Sequence, residues 1–146
     1  MADSDATVAL GRALGKALEA GMLVYLRGDL GAGKTTLARG ILHGLGHTGR
    51  VKSPTYALVE VYKLSRLYLY HFDFYRLEDA HAWIDAGFRE HFNAQTICLV
   101  EWPEHAGGTL PPADIDITLD IVDHGRDARI GAHTDAGRRC LSRLAP

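Results

Sequence analysis

Apolar side chains recur along the chain in two different rhythms, one typical of helices and the other of strands. Near the N-terminus, Leu10, Leu14 and Leu18 recur every four residues, which places them on one stripe of an amphipathic helix. A short, continuous apolar run over residues 22–26 is typical of a strand that is buried on both faces of a sheet. A second four-residue rhythm, over residues 35–45, predicts another helix.

The rest of the chain is dominated by strand patterns. Residues 56–62 and 67–74 predict the two strands of a hairpin, and residues 96–100 predict a further buried strand. Apolar and polar residues alternate over 115–121, which predicts a half-buried strand that residues 128–133 can pair with. Together with a short helix and a polar C-terminal helix, these patterns predict a mixed α/β fold with parallel strands in the middle and an antiparallel edge.

Composition narrows the classes of protein that fit this pattern. The length of 146 residues predicts one domain, over residues 1–146. Lys and Arg total 16 against 18 Asp and Glu, a balance without the excess positive charge of a nucleic-acid binder. No apolar run has the about 20 residues of a membrane span, the acidic N-terminus lacks a signal-peptide pattern, and the two cysteines form no CxxC motif. We therefore expect a cytoplasmic protein without membrane contact, monomeric when isolated.

Glycine is the residue type in excess, and its cluster after the first predicted strand indicates a phosphate-binding loop. Residues 28–35, GDLGAGKT, fit the pattern GxxxxGK[ST] between a strand and a helix. Glycines allow consecutive backbone N–H groups to point inward, where the positive end of the helix dipole adds to them. Lys34 would reach the β- and γ-phosphates, and the Thr35 hydroxyl would ligate Mg²⁺. The predicted nucleotide-binding residues of the loop are Asp29, Leu30, Gly31, Ala32, Gly33, Lys34, Thr35 and Thr36.

Two acidic residues stand where a phosphate loop needs a metal ligand or a group that orients water. Glu101 ends the apolar run of residues 97–100, the usual position of a Walker-B carboxylate, and is the predicted second Mg²⁺ ligand. Asp73 lies in the segment HFDFYR, where a carboxylate among aromatic side chains needs a partner or a function. In a functional role, Asp73 would orient the attacking water or hold a metal-bound water. In a structural role, it would pair with Arg76 or cap a helix. No Asn-Lys-x-Asp signal for guanine is present, which favours adenine.

Four motifs occur in an order that is specific to one family. Residues 28–36 (GDLGAGKTT), 51–56 (VKSPTY), 71–77 (HFDFYRL) and 100–103 (VEWP) make the chain similar, over nearly its whole length, to the bacterial TsaE (YjeE) family. The resemblance implies a P-loop-type three-layer fold, in which helices cover both faces of a central mixed sheet. It implies ATP and Mg²⁺ as cofactors and the TsaD–TsaB pair as partner. That pair makes threonylcarbamoyladenosine in tRNA, so contact of this chain with tRNA would be indirect.

The resemblance also implies roles for individual residues. Residues 53–55 resemble the family's switch-like loop near the γ-phosphate. Asp73 resembles the family's essential acidic residue and Glu101 its Mg²⁺ ligand, so Lys34, Asp73 and Glu101 are the predicted catalytic residues. The residues that flank the nucleotide, of which the last two rest on weaker local similarity, are Trp102, Thr7 and Arg126.

Three functions are compatible with these residues. The first is an ATPase subunit of the tRNA-modifying machinery, slow alone because no arginine finger is evident, and stimulated by TsaD–TsaB to support its turnover. The second is a small P-loop kinase, which would need an acceptor pocket and an Arg-rich lid for which the chain has no insertion. The third is a non-hydrolytic module in which ATP, through the loop 53–55, changes the affinity for a partner.

Overall fold

A six-stranded sheet forms the centre of the computed structural model, which describes residues 4–29, 32–51, 58–65, 67–77, 79–85, 87–123 and 125–144. The strands are β1 (Leu23–Arg27), β2 (Val59–Lys63), β3 (Tyr68–Asp73), β4 (Thr96–Glu101), β5 (Ile115–Val122) and β6 (Gly125–Ala132). The helices are α1 (Ser4–Ala17), α2 (Lys34–Gly44), α3 (Ala82–Asp85) and α4 (Asp135–Leu144), with short 3₁₀ helices at Phe88–His91 and Pro103–Ala106.

The strand order is β2-β3-β4-β1-β5-β6, with parallel pairing in the middle and an antiparallel pair at each edge. The predicted mixed α/β fold is therefore confirmed. The register places Leu26 of β1 beside Glu101 of β4, and Glu101 beside Asp73 of β3. Because parallel strands end at the same edge of a sheet, both predicted acidic residues lie at the edge from which the chain leaves β1 toward α2.

One face of the sheet is covered by α1, α2 and α4, and the helices α1 and α2 approach each other through glycines. A Cβ atom at Gly15 would lie 2.2 Å from the carbonyl oxygen of Ile41, and one at Gly40 would lie 2.5 Å from that of Val8. No side chain fits at such distances, so the two helix backbones are in direct contact.

The opposite face is filled by aromatic side chains. Phe72, Phe74 and Trp83 are fully buried there and contact one another, with ring centroids 5.7 Å and 6.0 Å apart in the two consecutive pairs. The indole N–H of Trp83 donates to the Thr109 hydroxyl at 2.7 Å, which satisfies its polar atom. Short helical segments, rather than long helices, therefore suffice to cover this face.

The structure corrects the prediction for the strand over residues 115–121. Ile115, Ile117 and Leu119 are buried as the alternation predicts, but Ile121 is 55% exposed. The reason is that only the first part of β5 pairs with β1, whereas its last residues pair with β6 alone and extend beyond the core. Among the helices of the described residues, none is both long and apolar enough to cross a membrane.

Candidate functional site

The segment between β1 and α2 adopts backbone conformations that favour glycine. Gly28 has φ 144°, and a Cβ atom on it would lie 2.6 Å from the carbonyl oxygen of Leu119. Gly33 precedes the first turn of α2 in the left-handed region, with φ 101°. The first helical hydrogen bond of α2 runs from the N–H of Leu37 to the carbonyl oxygen of Gly33, so the N–H groups of the turn before Leu37 point toward this end, where they can meet an anion. The predicted loop residues Leu30 and Gly31 lie outside the described residues.

Lys34, the first residue of α2, is directed back across this loop. Its side chain is only 5% exposed, and its ammonium group donates to the carbonyl oxygen of Gly28. Nζ also lies 3.8 Å from the centroid of the Trp102 ring, within the range of a cation–π contact. Burial lowers the pKa of Lys34, while Glu101 and Asp73, foremost among four nearby carboxylates, act in the opposite direction. The charge is therefore held in a confined place next to two acidic residues.

Glu101, at the end of β4, is 3% exposed and contacts a second buried polar residue. Its Oε2 lies 2.6 Å from Nε2 of His71, which has no exposed surface. Sequence reasoning missed His71. The available signal was its position two residues before Asp73, since side chains two apart on a strand point to the same face.

Asp73, at the end of β3, is half-buried beside Glu101. Its Oδ1 accepts a hydrogen bond from the backbone N–H of Tyr75 at 3.0 Å, so the carboxylate holds the turn that follows the strand. Burial raises the pKa of Asp73, and the negative charge of Glu101 adds to this, while the Tyr75 N–H lowers it. A carboxylate whose pKa is raised is a better proton acceptor than an ordinary one.

Trp102 forms the rim of the site. It has φ 56°, which turns the chain away from β4 immediately after Glu101. Its ring contacts those of Tyr75 and His105, with centroids 5.1 Å and 5.2 Å away, and Nδ1 of His105 lies 2.9 Å from the carbonyl oxygen of Phe74. The aromatic face of the sheet thus reaches the ammonium group of Lys34 through one side chain.

The two residues predicted on weaker similarity both lie against the phosphate loop. Thr7 is buried in α1, with its methyl carbon 3.9 Å from the position of a Cβ atom at Gly33. Arg126 of β6 donates from Nε to the carbonyl oxygen of Ala32 at 3.0 Å. Arg126 thus holds the backbone of the loop and Thr7 lies beside it, and the place of either residue beside an adenine stays a prediction.

The remaining predicted loop residues differ in exposure. Thr35 and Thr36 lie half-buried in the first turn of α2, and Ala32 is fully buried. Asp29 is exposed, and its carbonyl oxygen accepts from the N–H of Ala32 at 3.0 Å. Residues 53–55, predicted as a switch-like loop, lie outside the described residues.

The donor set fits a magnesium ion that arrives with a nucleotide. Within the described parts of the chain, no group of three or more His, Cys, Asp or Glu side chains is arranged to hold a metal. Mg²⁺ needs no such group, because it is commonly held by one or two carboxylates together with phosphate oxygens and water. Glu101, buried at the strand end, and the hydroxyl of Thr35 are oxygen donors of this kind.

Comparisons with known proteins show the family and the fold to which the chain is similar. Residues 1–129 match the family model described as threonylcarbamoyl adenosine biosynthesis protein TsaE. A Haemophilus influenzae protein named tRNA threonylcarbamoyladenosine biosynthesis protein TsaE is 50% identical over 124 residues, which cover 85% of this chain and 78% of the relative. The Bacillus subtilis protein of the same name is 41% identical over 119 residues, 82% of this chain and 73% of the relative. A crystal structure of YdiB from Bacillus subtilis superposes with a TM-score of 0.84 at 30% identity, covering 99% of this chain and 90% of that one.

Proposed function

The chain belongs to the TsaE family of threonylcarbamoyladenosine biosynthesis proteins, whose role is in tRNA modification, and from this premise we propose that it is a Mg²⁺-dependent ATPase of that pathway. The observation that carries the proposal is the position of Lys34, whose buried ammonium group bridges the loop after β1 and faces two carboxylates at the ends of β3 and β4. This is the arrangement that a nucleoside triphosphate with its metal ion requires.

Binding of the phosphates follows from the loop and the helix behind it. The glycine conformations at Gly28 and Gly33 would allow the backbone to approach a ligand closely, and the N-terminus of α2 would supply N–H groups and a positive partial charge. The ammonium group of Lys34 would exchange its contacts with Gly28 and Trp102 for phosphate oxygens. This exchange is favourable because hydrogen bonds between an ammonium group and charged phosphate oxygens are stronger than those to a neutral carbonyl oxygen.

Hydrolysis needs a water molecule placed in line with the γ-phosphate and compensation of the charge that develops on the phosphate. We assign the first task to Asp73, because its pKa is raised by burial and it lies beside Glu101 at the same edge. It accepts a proton from the water as the bond to phosphorus forms and ADP leaves. Lys34 stabilises the charge on the departing phosphate oxygens. Glu101 and Thr35 would hold Mg²⁺, which supplies further positive charge at the β- and γ-phosphates when bound.

We further propose that the TsaD–TsaB pair stimulates this reaction and that hydrolysis supports its turnover. Two arginines near the phosphate loop, one next to it in sequence and one in contact with it, already make hydrogen bonds within the protein. Arg27 donates to Asp116 at 2.9 Å, and Arg126 holds the carbonyl oxygen of Ala32. An additional positive charge at the γ-phosphate would therefore come from a partner, which makes hydrolysis by the isolated chain slow.

Steady-state phosphate release from ATP, with and without purified TsaD–TsaB, tests this function. We expect stimulation of about 10-fold or more by the pair, and a loss of about 100-fold in Lys34→Ala. Lys16→Ala is the matched control, because Lys16 is exposed on α1 and should leave the rate unchanged. A rate that the pair leaves unchanged would contradict the role in its turnover. Transfer of labelled phosphate to a nucleoside would indicate a kinase, and a complex that cycles without hydrolysis would indicate the ATP-gated module.

A further inference from the structure

A buried histidine lies behind the proposed metal ligand, and the mechanism above gives it no role. His71 of β3 is fully buried, and its Nε2 lies 2.6 Å from Oε2 of Glu101. The other ring nitrogen, Nδ1, is buried without a hydrogen-bond partner among the described residues. Among the residues that the structure describes, the ring therefore makes one polar contact, the one to Glu101.

This position is an unfavourable one for an imidazole unless the contact itself matters. On the same face of the sheet, the neighbouring positions include Leu69 on β3 and Leu99 on β4, both fully buried. The half-buried Asp73 follows on β3, and the half-buried Glu60 of β2 is paired with position 71. An apolar side chain at position 71 would fill the space without leaving a ring nitrogen unpaired, and unpaired buried polar atoms destabilise a fold. A purely structural role thus explains the histidine poorly.

The direction of the hydrogen bond follows from the chemistry of the two groups. An ionised carboxylate only accepts, so Nε2 of His71 carries the proton and donates it to Oε2. The ring is anchored in the middle of a paired strand, so it holds the Glu101 carboxylate in one orientation. A carboxylate that accepts through one oxygen keeps the other for a further ligand.

We propose that His71 is a positioning residue, which orients the Glu101 carboxylate so that its second oxygen takes the Mg²⁺ of Mg–ATP. The inference rests on the proposed function, since it requires Mg–ATP at Glu101. Hydrogen bonds from a neighbouring group commonly orient metal ligands, and their loss weakens metal affinity by about 10–100-fold. His71 touches neither nucleotide nor metal in this proposal, and its effect on the metal is exerted through Glu101.

Calorimetric titration of ATP, once in EDTA and once in a series of Mg²⁺ concentrations, tests the proposal. In His71→Leu we expect the affinity for ATP in EDTA to stay within about 2-fold of the wild type. In the same variant, the Mg²⁺ concentration that produces half of the Mg²⁺-dependent gain in ATP affinity should rise about 10-fold or more. His71→Gln, whose amide N–H can reach the position of Nε2, should restore most of the loss. Leu69→Val is the control, because it changes a buried side chain on the same strand face and should leave the Mg²⁺ dependence unchanged.

The arms of this experiment separate the two proposals. A wild-type chain that does not bind ATP would overturn the proposed function itself. A wild type whose ATP affinity depends on Mg²⁺, together with a His71→Leu variant of the same dependence, would overturn only the role of His71. An equal loss in EDTA and in Mg²⁺ would do the same, because it would show a general effect on the fold.

A measurement on the unaltered protein covers the case in which His71→Leu fails to fold. Long-range ¹H–¹⁵N correlation spectra of histidine rings distinguish the protonated nitrogen from the unprotonated one. We expect the buried ring of His71 to be protonated at Nε2 in the wild type without nucleotide. A ring with its lone pair on Nε2 would overturn the proposal, since it could not donate to Glu101.

Discussion

The two faces of the sheet are packed in different ways, and most residues of the proposed site lie on one of them. On the helical face, glycines bring α1 and α2 into backbone contact, and the same face carries Lys34, His71 and Glu101. On the other face, large aromatic rings such as Phe72 and Trp83 fill the space. Backbone contacts cannot adjust by changing a rotamer, whereas aromatic side chains can repack around a substitution. The comparison indicates that the helical face fixes the geometry of the site, whereas the aromatic face contributes to stability and has a smaller part in that geometry.

The largest expected effect is a loss of stability on the aromatic face. Trp83→Ala should lower the free energy of unfolding by about 3–5 kcal/mol, because it removes a fully buried indole and leaves the Thr109 hydroxyl without its donor. ATP affinity of the folded molecules should stay within about 2-fold. Urea unfolding and calorimetry measure the two quantities, and Trp83→Phe, which keeps most of the ring volume, is the control. A large loss of ATP affinity in Trp83→Ala would contradict the proposed difference between the two faces.

A smaller substitution on the helical face should change both quantities. In Gly40→Ala, the new Cβ atom would meet the carbonyl oxygen of Val8 at 2.5 Å, and α1 would have to move. We expect a loss of about 1–3 kcal/mol in stability. We also expect weaker ATP binding, because Thr7, next to Val8, lies beside the loop at Gly33. Gly108→Ala is the control, since its Cβ atom would meet nothing within 4 Å. An unchanged ATP affinity in a destabilised Gly40→Ala would show that helix packing does not reach the site.

The support of the loop from β6 should affect binding with little effect on stability. Arg126→Ala removes the hydrogen bond to the carbonyl oxygen of Ala32, and we expect ATP to bind about 5-fold more weakly, about 1 kcal/mol. Arg129→Ala is the matched control on the same strand, because Arg129 is exposed and its Nε lies 3.1 Å from Oδ2 of Asp120. Calorimetric titration with ATP compares the two variants. Equal affinities would remove Arg126 from the site.

Local patterns in the sequence account for most of the fold, since they depend on near neighbours. The four-residue rhythm of Leu10 and Leu14 predicts α1, and the apolar run before Glu101 predicts β4. Contacts between distant residues could not be predicted in this way. Glycines such as Gly11 and Gly15 can occur in a helix for several reasons, so the sequence does not reveal why they are there. Only the contact between α1 and α2 shows that a side chain would not fit at these positions.

The same limit applies to the candidate site. The phosphate loop is contiguous, so its spacing alone indicates its chemistry. Glu101 could be proposed because it ends an apolar strand, and Asp73 because it is a carboxylate among aromatic residues. The partner of Glu101 is 30 residues away, and only the register of β3 against β4 brings His71 to it. For Ile121 the local pattern was misleading. The alternation predicts a buried side chain, but it does not show that β5 extends past the core.

The smallest expected effect on stability is also opposite in sign. Burial raises the pKa of Asp73 above its usual value near 3.8, so the folded protein holds this proton more tightly than the unfolded chain does. The carboxyl therefore favours folding at low pH, and this contribution is lost as the pH rises through its folded-state pKa. Asp73→Asn keeps an oxygen for the Tyr75 N–H and removes the buried charge.

We expect Asp73→Asn to match the stability of the wild type near pH 3 and to exceed it slightly at pH 7, with a rise in melting temperature on the order of 1 °C. Phosphate release should nevertheless be lost, because the amide cannot accept a proton from water. Thermal unfolding between pH 3 and 7, beside the phosphate-release assay, measures both. A variant that is less stable at pH 7 would show that the carboxylate is needed to hold the turn after β3. A variant that gains stability and loses hydrolysis would show that the helical face keeps a destabilising charge at the one edge where it serves the reaction.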